Sequence, residues 1–324
     1  MPISSAFPSS SKGKPVLRIL LVTTLILLSV PAAQAAICSV DIGDIDLGDV
    51  DAIGNAEKTS TSEITIQCDG ATESTITVCG HIGAGDGGIA GSYRLARSGP
   101  DELAFGFLTS SSGGVAWGSS GTPALGQPNR FTLNVTDGSA TGEATLHAVV
   151  PGGQATAPVG TYHAGFSATD VAFTYDEGDH DCASLSGASV ANASFSVDAA
   201  IVANCRLETS DLSFGTTGRI GDNIDAETGL DLICTAGTGY GIAIDGGGAG
   251  DPANRRLVAG DNSVRYDLYS NAERTSRWGM DDADMVTGDG DGETHEYSVY
   301  GRIPPQQAAT GAYTDTVVVT LFYE

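Results

Sequence analysis

The chain has 324 residues and carries 40 acidic against 15 basic side chains, a formal charge of −25. Such a field repels nucleic acid and anionic membrane surfaces, so neither partner class is supported. Hydrophobic residues at 41% allow cores for two domains of ordinary size, and 44 glycines with abundant Ser and Thr suit a turn-rich all-β protein.

In chain order, residues 1–35 read as a secretory signal peptide. Lys12, Lys14 and Arg18 form a basic n-region, residues 19–30 an apolar run, and Ala33-Gln34-Ala35 a small-x-small cleavage site. The rival reading is an uncleaved anchor, for which the run is short. Cleavage removes three basic residues and leaves 12 against 40 acids, or −28. Ile37, just before Cys38, does not fit a lipoprotein site, so the expected product is an unlipidated exported protein. All six cysteines (Cys38, Cys68, Cys79, Cys182, Cys205 and Cys234) follow the signal. An even number in an oxidising compartment argues for disulfides, and no pair has the C-x-x-C spacing of a zinc site.

The mature chain then repeats itself. Cys38 and Cys68 are 30 positions apart, and Cys205 and Cys234 are 29 apart. After each pair come a short apolar strand (76–78; 242–244), Arg-Leu (Arg94-Leu95; Arg256-Leu257), a second strand (105–108; 266–269) and Trp-Gly (Trp117-Gly118; Trp278-Gly279). Pro-x-x-Gln (Pro151 to Gln154; Pro304 to Gln307) and Gly-x-Tyr (Gly160 to Tyr162; Gly311 to Tyr313) close each copy. The order predicts two domains, 36–178 and 193–324, joined by a polar linker at 179–192 that leads into the alternating strand Phe195, Val197, Ala199, Ile201. Short alternating runs bounded by Gly, Asp, Asn and Ser favour an antiparallel β-sandwich in each. The repeat pairs Cys38 with Cys68 and Cys205 with Cys234, which leaves Cys79 and Cys182 for each other. Residues present in both copies, the two tryptophans and the Arg94/Arg256 pair, read as structural.

The last segment, 311–324, alternates: Tyr313, Val317, Val319, Leu321 and Tyr323 point one way, with Thr314, Thr316 and Thr320 opposite. A long apolar strand left at a sheet edge is an aggregation hazard, so something must cover it.

The pattern Cys205, Phe214-Gly215, Cys234, Arg256, Tyr266, Trp278-Gly279, Tyr300-Gly301-Arg302 and Gly311-Ala312-Tyr313-Thr314-Asp315-Thr316-Val317 resembles the spore coat protein U domain family. The resemblance covers 193–324 and, more weakly, 36–178, where His147 and Val149 stand for Tyr300 and Arg302. The family includes subunits of archaic chaperone–usher pili, and two such domains in tandem look like their tip adhesin. The resemblance implies an all-β fold of two immunoglobulin-like antiparallel β-sandwich domains, the C-terminal one lacking its last strand. It also implies a periplasmic chaperone, an outer-membrane usher and an adjacent pilin subunit as partners. The donor strand would be received at Val317, Val319 and Leu321. Attachment to an abiotic or host surface, biofilm formation and location at the cell surface follow from the same likeness. The expected mature chain starts two residues before Cys38 and so has no N-terminal strand to give, which fits one end of a fibre. The alternative is a coat or matrix protein assembling by strand exchange, for which such a strand is required.

No catalytic motif joins the five histidines, and no Gly-x-Ser-x-Gly, HExxH or P-loop pattern occurs. The expectation is a non-enzymatic protein with no cofactor. The acidic turns 85–88 and 288–293 lack the ligand spacing of calcium loops and read as hairpins. The first copy is longer at three connections, and the extra apolar residues there make Ile82, Ile89, Leu125 and Val159 the candidate surface-binding side chains.

Overall fold

The computed structural model describes residues 35–185 and 188–324; the expected signal peptide lies outside them. Among the described residues the helices are four short 3-10 turns, and none is long and apolar enough to cross a membrane. The first half is built from β1 (Ile37–Ile42), β2 (Ile45–Val50), β3 (Lys58–Asp69), β4 (Thr75–Ile82), β5 (Ile89–Ala90), β6 (Tyr93–Ser98) and β7 (Asp101–Leu108). It continues with β8 (Asn129–Asn134), β9 (Ser139–Val150), β10 (Gly160–Phe166), β11 (Val171–Glu177), β12 (Ser189–Asn192) and β13 (Phe195–Ile201). A large sheet runs β1-β3-β9-β7-β6-β10-β13-β2 and a smaller one β12-β11-β4-β8. Their inner faces share one core, from Ile64 and Ile66 on one side to Val78 and Phe173 on the other. Alternation along the strands puts one side chain in two into that core, as in β3, where Ile64, Ile66 and Cys68 are buried and their neighbours exposed.

The second half has β14 (Cys205–Thr209), β15 (Ile224–Cys234), β16 (Gly239–Ile244), β17 (Arg256–Ala259), β18 (Asn262–Arg265), β19 (Asp267–Tyr269), β20 (Val286–Asp289), β21 (Thr294–Ile303) and β22 (Val319–Tyr323). Its sheets are β14-β15-β21-β19, β20-β16-β22 and the hairpin β17-β18, around a separate core.

The boundaries differ from those read in the sequence. Residues 179–192 are not a free linker: they hold a 3-10 turn at Cys182–Ser184 and then β12, which pairs with β11. The line at 193 cuts through a strand pair, because β13 lies between β10 and β2 and its apolar face belongs to the first core. The polar, small-residue composition of 179–192 hides β12, and the alternating strand 195–201, legible as a strand, reads with the second domain.

The three disulfides are Cys38–Cys68, Cys79–Cys182 and Cys205–Cys234, as the repeat arithmetic requires. The first and third join paired neighbours, β1 with β3 and β14 with β15. The second ties the turn after β11 to β4.

Both tryptophans are buried, and each ring nitrogen donates 2.8 Å to a carbonyl of the facing strand: Trp117 to Gly80, Trp278 to Ile242. Gly80 is required there, since a Cβ would sit 2.7 Å from the Phe173 ring. This anchor moves two equivalences by one residue. Arg94 gives its guanidinium to the carbonyls of Gly83, Ile82 and Trp117. The residue doing the same at Asp245, Ile244 and Trp278 is Arg255, not Arg256. Likewise Gln154, bonded to Ala104 and Pro151, matches Gln306, bonded to Arg265 and Pro304, rather than Gln307. Counted from the tryptophan-bound carbonyl to the buried arginine, the first connection is 14 positions against 13, so the extra length expected there largely vanishes.

Candidate functional site: an open strand position in the second sandwich

Residues 189–201 of the first half act as one strand with a kink. β12 runs antiparallel to β11 from Tyr175↔Ser189 to Ala172↔Asn192, and β13 runs antiparallel to β10 from Phe166↔Phe195 to Gly160↔Ile201. The far side of β13 pairs in parallel with β2. Six alternate side chains (Ala191, Ala193, Phe195, Val197, Ala199 and Ile201) are buried in the first core. Phe195 stacks on Phe166 with centroids 4.7 Å apart and meets Phe107 at 5.8 Å. The segment is a plug whose inward face is all apolar.

The second half repeats the receiving elements. Tyr162 donates to the carbonyl four residues back, Pro158, and Tyr313 does the same to Ala309. This tyrosine corner fixes Tyr313 as the counterpart of Tyr162. β22 pairs with β16 through Val319↔Ile244 and Leu321↔Ile242, as β11 pairs with β4 through Val171↔Ile82 and Phe173↔Gly80. The expected single strand 313–323 is therefore two pieces. Residues 311–317 make one bridge, Thr314 to Val258, and β22 follows in the other sheet. Among the described residues, no strand occupies the position that 189–201 holds in the first half. The side chains that would line it are half-buried: Leu212 and Phe214 on one side, Tyr313, Val317, Val319 and Leu321 on the other.

Two aspartates hold this edge in place. Asp315 accepts from the Tyr266 hydroxyl at 2.7 Å and the Gly248 amide at 3.0 Å, and Asp245 accepts from the amides of Val318 and Gly247. Burial pushes the Tyr266 hydroxyl pKa up, and its bond to the Asp315 carboxylate adds to the shift. The edge is held from the loop behind it while its outward side stays unpaired.

The structure sorts the residues expected from sequence. Val317, Val319 and Leu321 all lie on this edge, half-buried. Leu212, Phe214, Tyr313 and Asp315 complete it and were not singled out. Phe214, Tyr313 and Asp315 stand in the pattern that carries the family resemblance, and Tyr313 in the alternating strand, but nothing in either assigns them to an acceptor edge.

The surface set fares differently. Ile82 is fully buried at the end of β4, and Leu125 is buried in the 3-10 turn Pro123–Leu125, so neither can touch an external surface. Val159 faces the second half, where its amide donates 2.9 Å to Ala236. Loop length marked these connections, but their apolar residues point inward. Ile89 alone is exposed, with Tyr93 across the same hairpin and Val115 beyond β7. The acidic turn near 291 is a hairpin in which Asp291 accepts from the Glu293 amide and meets the His295 ring, and Asp86 accepts from the Gly165 amide.

The chain is thus an antiparallel β-sandwich with this strand position filled from within, followed by a copy of the same plan in which the position is open among the described residues. The chain belongs to the spore coat protein U domain family, whose model matches residues 23–169 and 191–320. Among solved structures it is similar to the CsuC–CsuE chaperone–tip adhesion subunit pre-assembly complex of archaic chaperone–usher Csu pili of Acinetobacter baumannii. That match has 16% identity and a TM-score of 0.53, over 89% of this chain and 99% of that one. It also matches the CupB6 tip adhesin of Pseudomonas aeruginosa at 14% identity and a TM-score of 0.39, over 89% and 95%. No curated protein matches the chain significantly.

Proposed function

We propose that this protein is the adhesive tip subunit of a chaperone–usher pilus. Its second sandwich receives a strand first from a periplasmic chaperone and then, at an outer-membrane usher, from the adjacent pilin. The observation that carries this reading is the strand position filled by 189–201 in the first sandwich and open beside 313–323 in the second. A closed domain cannot accept a donor, so one copy is free for another task and the other joins the fibre. Membership of the family and a fold like that of a subunit described as a tip adhesion subunit support the same assignment.

Adhesion then belongs to the closed sandwich, at the end away from its partner. β6 runs from Tyr93 to Ser98, and Ser98 lies beside Gly160 at the end that meets the second half. Ile89, Tyr93 and Val115 are exposed at the opposite end, where β7 finishes and Thr109 bonds Val115. Each such side chain driven onto an apolar surface gains ~1.5–3 kcal/mol, and many pili multiply a weak contact.

The test of the open position is to append a flexible linker and a copy of 189–201 after Glu324. A soluble monomer with a raised melting temperature is expected; no gain in yield or melting would sink the reading. For adhesion, the combined Ile89→Ser, Tyr93→Ser and Val115→Ser chain should assemble pili in normal number, by immunolabelling, yet lose attachment to plastic. Normal attachment would move the adhesive surface elsewhere.

A further inference from the structure

The joint between the two sandwiches has the form of a subunit junction. β13 ends at Ile201, and only Val202, Ala203 and Asn204 separate it from Cys205, which opens β14. The plug of the first sandwich is thus the N-terminal extension of the second. Around it, loop 151–159 of the first sandwich lies against the second. Val159 donates its amide to Ala236 at 2.9 Å, and the Ala236 amide donates to Ala155 at 3.3 Å. Gly292, at φ +84°, passes so near that a Cβ would stand 2.2 Å from the Ala155 oxygen. Asn204 also donates to Asp51 at 2.9 Å.

The second sandwich carries the same loop, braced from within in the same way. Gln306 bonds Pro304 and Arg265, Tyr313 bonds Ala309, and the Gln306 amide donates to Ile220, one position on from the Gly153 amide that donates to Gly54 in the first copy. In the first sandwich the loop is covered, with Ala157 buried and Val159 half-buried. In the second, Gln307, Ala308, Ala309 and Thr310 are all exposed. By the tyrosine corners Thr310 stands where Val159 does, so its amide is the counterpart of the one that Ala236 accepts.

We propose that loop 304–310 is a docking surface for the domain that donates the missing strand, and that the internal joint is repeated there between chains. The occupant is a β-sandwich of this same type. Its extension carries apolar residues at six alternate positions and ends about three residues before its first cysteine. The segments equivalent to Ala236 and Gly292 in that domain close over Thr310 and its neighbours. The inference rests on the strand-accepting reading above, but adds a second contact that a strand alone would not make.

Two probes separate the claims. The first is the synthetic peptide 189–201, which reports the groove. The second is the mature chain with a copy of 189–204 grafted directly before Cys38, the counterpart of Cys205, which gives each copy a strand to donate and a domain behind it. Exported to a bacterial periplasm, the grafted chain should form head-to-tail ladders. Thr310→Pro removes the amide donor, and Ala308→Trp blocks the approach by bulk. Each should weaken laddering by about tenfold, the worth of one such bond, while peptide binding stays unchanged and reports an intact fold. Ladders unaffected by both variants, or no ladder although the peptide binds, overturns the docking surface and leaves the groove standing. Failure of the peptide to bind removes the groove, and this proposal with it.

Discussion

The two sandwiches share a plan and differ in closure. In the first, Ile45, Leu47, Tyr162, Phe166, Val171 and Phe173 are all at most 2% exposed. Their counterparts Leu212, Phe214, Tyr313, Val317, Val319 and Leu321 are half-buried. The second core has 12 fully buried residues and 13 half-buried ones around it, whereas the first has 36 and 5 among the described residues. What separates them is the segment 189–201. Phe195, Val197 and Ile201 are worth ~1.5–3 kcal/mol each when fully buried, so their sum rivals the whole stability of a domain, ~5–15 kcal/mol. One strand decides whether this fold stands alone.

The strongest way to break the comparison is to open the closed copy. Val197→Asp puts a carboxylate at a position with no exposure, opposite Ala164 and beside the aromatic cluster. A buried unpaired charge costs several kcal/mol beyond the lost apolar area. The first sandwich should fail to fold, seen as a lost high-temperature transition in calorimetry and low periplasmic yield. An unchanged first transition would mean that closure comes from elsewhere.

Next in size is the bridge that only the first copy has. Cys79–Cys182 spans 103 residues, for which chain entropy gives ~4–5 kcal/mol. Replacing both cysteines by alanine should lower the first transition alone, and removing Cys205–Cys234 the second alone. A drop in both from either pair would show that the sandwiches melt as one unit.

How much of this was legible follows from what repeats and what does not. Cysteine spacing, the tryptophans and the tyrosine corners recur at near-constant intervals because each fixes a covalent or hydrogen-bonded contact, so the two copies and all three bridges could be read directly. Equivalences in between slipped by one residue at Arg255 and Gln306, because a local Arg-Leu or Pro-x-x-Gln match ignores which carbonyl the side chain reaches. The alternating strand 195–201 is legible but reads with the domain that follows it, because alternation shows that a face is buried and not in which core. The earlier part of the plug, with alanines at 191 and 193 among polar neighbours, reads as linker. Insertion length says nothing about direction: Ile82 and Leu125 lie at the longer connections and yet turn inward.

A third, smaller effect tests whether the buried arginines are equivalent. Arg94 bonds three carbonyls and lies 4.5 Å over the Phe107 ring; burial pushes its pKa down to about 9. Arg255 is shifted in the same direction by burial, and Leu268, which accepts the Trp278 amide as Phe107 accepts the Trp117 amide, stands in place of Phe107. Leucine at Arg94 leaves the carbonyls of Ile82, Gly83 and Trp117 without donors, at a cost of about 3 kcal/mol. Arg94→Leu should therefore lower the first transition more than Arg255→Leu lowers the second. Equal losses would make the stacking on Phe107 irrelevant.

The smallest expected effect is a pH dependence that differs between the copies. His163 on β10 sits opposite Asp198 on β13, with the Nδ1 to Oδ1 distance 2.8 Å, and this bond raises its pKa above the usual value. Asp198, Asp86 and Asp44 add to the rise through their charge. Arg97, also across from His163, is engaged with Glu102 and the Gly87 carbonyl. A raised folded pKa means that the stabilisation is fully present below about 6.5 and is lost as pH climbs through the folded value. In the second sandwich the sign is reversed. The bidentate Arg302 bond holds the Asp225 carboxyl below its ordinary range, and the nearby Arg274 charge adds to that. That contribution is present above about 3.8 and is lost as pH falls through the depressed value. Both pairs are solvent-exposed, so each is worth well under ~1 kcal/mol. Burial holds the His81 pKa below its usual value, an opposite contribution in the same sandwich, so the readout is the first transition of the wild type minus that of His163→Asn. This difference should shrink slightly between pH 5.5 and 8.0, while the Asp225 contribution to the second stays level until the medium is strongly acidic. A wild-type-minus-His163→Asn difference that stays constant or grows as pH rises would show that the clasp between β10 and the plug is not held by this histidine.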